Sequence, residues 1–141
     1  MANKTFFDVQ SSNREVKIIA TKVVITGATA ADPNAKAVLT DSAGNDIATN
    51  GIESVAYGTT GGGIGDDTFK ITLADKYEAL LSVHVTKGND NSGSGGNPTS
   101  VQDIDEDVSG ARTVEVDMNA ALDVGDEFYV TLFLLNTSVT K

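Results

Sequence analysis

The sequence predicts an all-β fold, a single-domain antiparallel β-sandwich or partly closed barrel with Gly-rich loops. Short segments alternate between apolar and polar residues, which is the two-residue period of a strand. Stretches rich in glycine, asparagine and serine separate these segments. No long stretch shows the 3.6-residue period of a helix. At 141 residues, the chain has the length of one domain that can bury its own core.

The predicted central strand is the segment 127–136, which is rich in β-branched and aromatic residues. One side of this strand carries Phe128, Val130, Leu132 and Leu134, and the other side carries Tyr129, Thr131, Phe133 and Leu135. Both sides are largely apolar. We therefore expect the core to cover one side, and a second layer or a partner to cover the other.

Eight to ten short strands are predicted in all, with mainly antiparallel pairing and one face in water. Taken in order, the clearest segments are 5–10, 16–26, 36–41, 46–49, 52–57, 68–73, 81–86, 112–118 and 127–136. The apolar residues change sides along 16–26, which predicts a bend or bulge near residues 20–22. Residues 42–45 predict a hairpin turn. Asp75 and Glu78 have the spacing of a capping box, which predicts about one helical turn. Residues 119–125 are predicted to be a connection, and the sequence leaves open whether it contains a short turn of helix.

The net charge is −10 and the isoelectric point is about 4.3. The ten Lys and Arg residues form no basic stripe, so neither a nucleic acid nor an anionic membrane is an expected partner. The chain contains no Cys, which excludes disulfides and thiolate chemistry. Neither a signal peptide nor a membrane span is predicted, and we expect synthesis in the cytoplasm of the host.

The most suggestive local pattern for a ligand is formed by Asp103, Asp105 and Asp107. Carboxylates two residues apart converge on a hard cation such as Ca²⁺ when the backbone loops around it. An EF-hand loop would need Gly and Glu where this sequence has Val108 and Val114. In a strand, the same spacing places the three carboxylates on one solvated face. The charged strand face is the favoured interpretation, and weak calcium binding is the alternative.

No constellation for catalysis is evident, and no cofactor is expected. His84 is the only histidine, it faces outward in the predicted strand, and its neighbour Ser82 is the sole candidate nucleophile on the same side. No pair of carboxylates lies in an apolar setting that would separate their pKa values. The sequence therefore favours a protein that is not an enzyme.

Four aromatic residues are candidates for an interface. Phe6 and Phe7 are adjacent in a predicted strand, so only one of them can face the core. Residues 1–13 are therefore a candidate N-terminal docking arm of the single domain 1–141. Tyr129 and Phe133 lie on the second apolar side of the central strand.

Several stretches together resemble a group of small virion structural proteins of tailed marine bacteriophages. The best markers are the turn Asp75-Lys76-Tyr77-x-x-Leu80-Leu81 and the closing Leu134-x-Asn136-x-Ser138-Val139. They accompany residues 14–20, 51–56 and 69–82, the acidic stretch 101–108 and the strand 113–116 in the same order. These are patterns of core and turn, and no functional residue is carried over from them.

The resemblance implies a capsid decoration or cement protein on the outer surface of the virion. Its expected partner is the major capsid protein or another virion protein, and a homo-oligomer is left open. The alternative is a tail, fibre or host-binding module, whose recognition surface would be the loops at 58–67 and 87–100. A secreted domain that binds carbohydrate with Ca²⁺ is a third, less favoured hypothesis.

Overall fold

A computed structural model of the chain describes residues 5–9, 14–27, 35–58, 66–88 and 97–136, with side chains from residue 15 onward. Ten strands lie in these ranges: β1 (Thr5–Val9), β2 (Arg14–Ile25), β3 (Ala35–Thr40), β4 (Asp46–Ala48), β5 (Ile52–Tyr57), β6 (Thr68–Leu73), β7 (Ala79–Lys87), β8 (Val101–Asp107), β9 (Thr113–Met118) and β10 (Glu127–Leu135). The described residues form no helix, so the all-β prediction is confirmed.

The larger sheet has six strands and is built around β2 and β10. Its order is β4-β3-β2-β10-β7, and every pairing in it is antiparallel. β10 pairs with β2 from Val16 to Val24. The opposite edge of β2 is divided, because β1 pairs with residues 14–18 and β3 pairs with residues 22–25. The central position predicted for the C-terminal strand is therefore confirmed.

The smaller sheet has four antiparallel strands in the order β5-β6-β9-β8. The two sheets remain separate and do not close into a barrel, so the sandwich is the observed architecture. A core of mostly aliphatic and aromatic side chains fills the space between them. Near its centre, the rings of Phe69 on β6 and Phe128 on β10 stack with centroids 5.3 Å apart. The strongest alternation in the sequence, at 68–73 and 113–118, faces this core as predicted.

Two local predictions are wrong. β2 has no bulge, since its register with β10 is unbroken and its inward positions alternate regularly as Lys17, Ile19, Thr21 and Val23. No helical turn follows Asp75, because the backbone N–H groups of this segment bond across the molecule. Tyr77 donates to the Val108 carbonyl at 3.0 Å, and Glu78 donates to the Leu135 carbonyl at 2.9 Å. The segment 119–125, where a short turn of helix was left open, is a connection of turns and bends.

The predicted β3–β4 hairpin is confirmed, and its turn shows why this sequence forms it. The Asp41 carboxylate accepts hydrogen bonds from the N–H groups of Ala43 at 2.9 Å and Asn45 at 2.8 Å. Gly44 has a φ of 86°, a conformation that glycine adopts without strain. The hydrogen bonds, chiefly those from Asn45, lower the pKa of Asp41. The predicted loops at 58–67 and 87–100 lie largely outside the described residues.

Candidate functional site

The outward side of the larger sheet is the candidate site, and we call it the docking face. It comprises Val16, Ile18 and Ala20 on β2, Tyr129, Thr131, Phe133 and Leu135 on β10, and Ser82, His84 and Thr86 on β7. The registers align these residues in rows, because Phe133 lies opposite both Ile18 and Ser82, and Thr131 lies opposite both Ala20 and His84. None of the ten side chains carries a carboxylate. The face is therefore continuous, broad and mostly apolar.

The aromatic side chains of the docking face have defined neighbours. The His84 ring meets the Phe133 ring edge-on, with centroids 5.8 Å apart. Tyr129 is 55% exposed, yet its ring lies against the backbone of Gly88, where a β-carbon would come within 2.9 Å of the ring. A side chain at position 88 would displace that ring. Gly88 therefore positions Tyr129, and this contact could not be read from the sequence.

Charges at the rim of the docking face compensate one another among the described side chains. Lys22 lies 3.5 Å from the Glu127 carboxylate and donates a hydrogen bond to the Thr40 hydroxyl at 3.0 Å. Lys36 pairs with Asp46. The face therefore stays close to neutral on a protein whose net charge is −10, which lowers the cost of removing water from it.

A lysine lies beneath the docking face, on the inward side of β2. Lys17 is 4% exposed, and its amine lies 5.3 Å from the centroid of the Tyr77 ring. Burial lowers the pKa of Lys17, partly opposed by the Asp75 carboxylate. Burial, with a smaller contribution from Asp75, raises the pKa of Tyr77 to about 12. Both groups are therefore held toward their neutral forms.

The three carboxylates of the calcium hypothesis lie on β8. Asp103, Asp105 and Asp107 are exposed, and the register places Asp103 opposite Asp117 and Asp105 opposite Glu115 on β9. Asp107 accepts hydrogen bonds from the backbone of the turn that follows, at 3.1 Å and 2.8 Å. Within the described ranges no group of three or more His, Asp or Glu residues is placed to hold a metal ion. The geometry is that of a charged strand face.

The four predicted interface residues fall in two places. Tyr129 and Phe133 lie together on the docking face. Phe6 and Phe7 lie on β1, opposite Lys17 and Val16 of β2, and their side chains are outside the description. The docking arm at residues 1–13 stays a prediction, and the structure adds that its strand pairs with the chain's own sheet.

The sequence analysis missed the contribution of β2 to this face. The spacing of Val16, Ile18 and Ala20 places them on one side of a strand, but nothing in the sequence indicates that this side faces outward. The signal was present in Lys17 and Thr21, which alternate with them, but polar residues are usually assigned to the solvent side. Only the pairing of β2 with β10 places all the outward residues in one surface.

Fold and site together define an all-β sandwich of two antiparallel sheets with an apolar outward face on the larger one. Comparisons with models of protein families, with curated proteins and with solved structures found no match to this chain. In the part of the chain that the structure describes, no helix is long and apolar enough to cross a membrane.

Proposed function

We propose that this protein is a non-enzymatic structural component of a bacteriophage virion that binds the outer surface of the major capsid protein lattice. The sequence markers at residues 75–81 and 134–139 support the virion assignment by resemblance. The docking face supports a binding role, because a broad apolar surface on a soluble domain is typical of a protein interface.

The observation that carries the proposal is the outward side of β10. A central strand with a polar outward side would suit a free sandwich in water. This strand instead presents Tyr129, Phe133 and Leu135, of which Tyr129 is 55% exposed. A partner that covers them removes apolar surface from water, at about 25 cal/mol for each Å². Many copies bound to one lattice would multiply a modest affinity by avidity.

The outward side of the smaller sheet suggests how the bound protein would be oriented on the capsid. The outward side of the smaller sheet carries Asp103, Asp105, Asp107, Glu115 and Asp117. If the docking face lies on the capsid, these carboxylates point away from it into solvent. A negatively charged exterior keeps densely packed particles apart by mutual repulsion.

The proposal is tested by adding purified protein to capsids that lack it, and by imaging the resulting particles. Phe133→Glu places a charge in the centre of the docking face, and we expect it to weaken capsid binding at least about 100-fold, because an unpaired carboxylate would be buried. The matched control is Thr72→Glu, which adds the same charge to β6 on the outward side of the smaller sheet and should bind like the unmodified protein.

Imaging gives the second readout. Copies that follow the capsid lattice are the expected result. A few copies confined to the tail would replace the capsid proposal with the tail, fibre or host-binding alternative. Equal binding by Phe133→Glu and the unmodified protein would show that the docking face is not the contact surface.

A further inference from the structure

The open edge of β7 differs from the other strand edges of the molecule. An open edge exposes backbone N–H and C=O groups that can pair with another chain, and proteins usually protect such edges with charge, bulges or short strands. β4 has three residues, β5 has an irregular register near Glu53, and β8 carries four carboxylates and a register shift. β7 has nine residues, from Ala79 to Lys87, and none of them is acidic. Its register shift against β10 lies at Leu81, so residues 82–87 form an uninterrupted edge.

The backbone of β7 offers hydrogen-bonding groups at this edge. Among the strands that the structure describes, β7 pairs with β10 alone. The N–H of Gly88 donates to the Glu127 carbonyl at 2.7 Å, so the backbone groups of Gly88 point toward β10. Backbone direction alternates along an antiparallel strand. Thr86 and His84 therefore face β10, and the N–H and C=O groups of Val83 and Val85 face the open edge.

The acidic strand β8 lies beneath this edge, in the other sheet. The two strands are joined near both ends. At one end the Tyr77 N–H donates to the Val108 carbonyl at 3.0 Å, and at the other the Lys87 amine donates to the side-chain oxygen of Asn97 at 3.1 Å. Asp103, Asp105, Glu106 and Asp107 are all exposed. In the register, Asp103, Asp105 and Asp107 lie with outward residues of β9, and Glu106 lies opposite Val114 on the side that faces the larger sheet. This side of the sandwich thus combines a strand edge without acidic residues above with one inward and three outward carboxylates along β8 below.

We infer that the open edge of β7 binds an extended segment of a partner protein that carries Lys or Arg at every second position. The segment would add to the larger sheet as a further strand by pairing with Val83 and Val85. Its inward-facing basic side chains would lie along these half-buried valines and extend toward β8, since stacked sheets are about 10 Å apart. Its outward-facing residues would extend the docking face. This inference does not depend on the virion proposal.

Electrostatic repulsion makes a basic segment a better fit to the β7 edge than a second copy of this chain. Two copies paired through β7 would also bring two β8 strands toward each other, each with four carboxylates, on proteins that each carry a net charge of −10. That arrangement is repulsive at physiological salt, where the screening length is about 8 Å. A basic segment converts the same carboxylates into an attraction.

The test uses a nine-residue synthetic peptide that matches β7 in length and alternates Lys with Val. The control peptide has the same charge but a Pro at its centre, which cannot continue a strand. Fluorescence anisotropy measures affinity, and hydrogen exchange measures protection of single amides. We expect slower exchange at the amides of Val83 and Val85 and about tenfold weaker binding of the control peptide.

Two variants of the protein separate the edge from the charge. Val83→Pro removes an N–H that faces the open edge and spares the ladder with β10, so peptide binding should fall about tenfold while the circular dichroism spectrum is kept. Glu106→Gln, at the carboxylate on the side of β8 that faces the larger sheet, should weaken binding severalfold and reduce its salt dependence. Asp66→Asn, in a turn away from β8, is the matched control and should bind like the unmodified protein.

Three outcomes would overturn the inference. Equal affinity for both peptides would show that the contact is electrostatic without strand pairing. Unchanged exchange at Val83 and Val85 in the unmodified protein with peptide bound would exclude this edge, whether or not the Val83→Pro variant folds. A concentration-dependent dimer that protects the same amides without peptide would assign the edge to a second copy.

Discussion

The outward faces of the two sheets differ, although the inward faces of both contribute to one apolar core. The smaller sheet is acidic outside and apolar inside, the usual arrangement for a sandwich in water. The larger sheet is apolar outside, with Phe133 and Ile18 adjacent in the register, while Lys17 and Thr21 are buried on its inner side. An exposed apolar side is unfavourable for a strand in water, and it supports the proposed binding role. The contrast is what separates a docking face from an ordinary solvent face.

The largest expected change in stability comes from a comparison of two phenylalanines, one in the core of the smaller sheet and one on the docking face. Phe69 is fully buried on the inward side of the smaller sheet, and Phe69→Ala should lower the free energy of unfolding by about 3–5 kcal/mol, because it leaves a cavity. Phe133→Ala on the docking face should cost about 1 kcal/mol or less, because Phe133 is only partly buried. Urea denaturation measures both. Similar losses would mean that the docking face is already covered as fully as the core.

The next effect concerns the buried lysine. Lys17→Met should raise the free energy of unfolding at neutral pH by about 1–2 kcal/mol, because it removes a charge that burial disfavours and keeps the aliphatic volume. Lys70→Met, on the outward side of the smaller sheet beside Glu115, is the matched control and should give no gain.

The pH dependence of the Lys17→Met effect has a definite sign. The pKa of Lys17 in the folded protein lies below the ordinary lysine value of 10.5. Between these two values, the unfolded chain keeps the proton and the native protein is neutral, so the stability of the unmodified protein rises with pH. The advantage of Lys17→Met should therefore be largest below the lowered pKa and shrink as the pH approaches 10.5. A gain that does not change with pH would assign the effect to packing alone.

The smallest effect tests the acidic face. Asp105 lies opposite Glu115, and Asp103 lies opposite Asp117, so like charges face each other across β8 and β9. Asp105→Asn should raise the free energy of unfolding by about 0.2–1 kcal/mol at low salt, and the gain should fall as salt is added. Asp66→Asn should change it by less. A destabilised Asp105→Asn protein would contradict the repulsion between these carboxylates.

The sequence alone predicts which side of a strand faces the core where apolar and polar residues alternate strictly. Phe69, Ile71 and Leu73 alternate with polar residues and face the core, and the same holds for Val114, Val116 and Met118. In both strands one side is apolar and the other is polar, so the side that faces the core follows directly. The β3–β4 hairpin was equally predictable, because Asp41, Gly44 and Asn45 suit a turn regardless of what surrounds it.

Prediction failed where tertiary pairing overrides the local pattern. In β2 the outward side is the more apolar one, and the bend or bulge predicted near residues 20–22 was inferred because the apolar residues change sides along 16–26. At residues 75–78 the capping-box spacing is present, but the N–H groups of Tyr77 and Glu78 bond to β8 and β10 segments far along the chain. The bulge that leaves Leu81 exposed and turns Leu80 toward the core depends on register against β10. Each of these features depends on a partner strand that local sequence does not reveal.

The pairing of β2 with β10 also limits the order in which the strands of the molecule can fold. Val16 lies opposite Leu135, and Val24 lies opposite Glu127, so the centre of the larger sheet joins segments from nearly opposite parts of the sequence. Contacts of such long sequence separation form slowly, because most of the chain must be ordered to bring the ends together. The strands of the smaller sheet all precede β10 in the chain and pair without it, but one edge of β2 stays unsatisfied until β10 pairs with it.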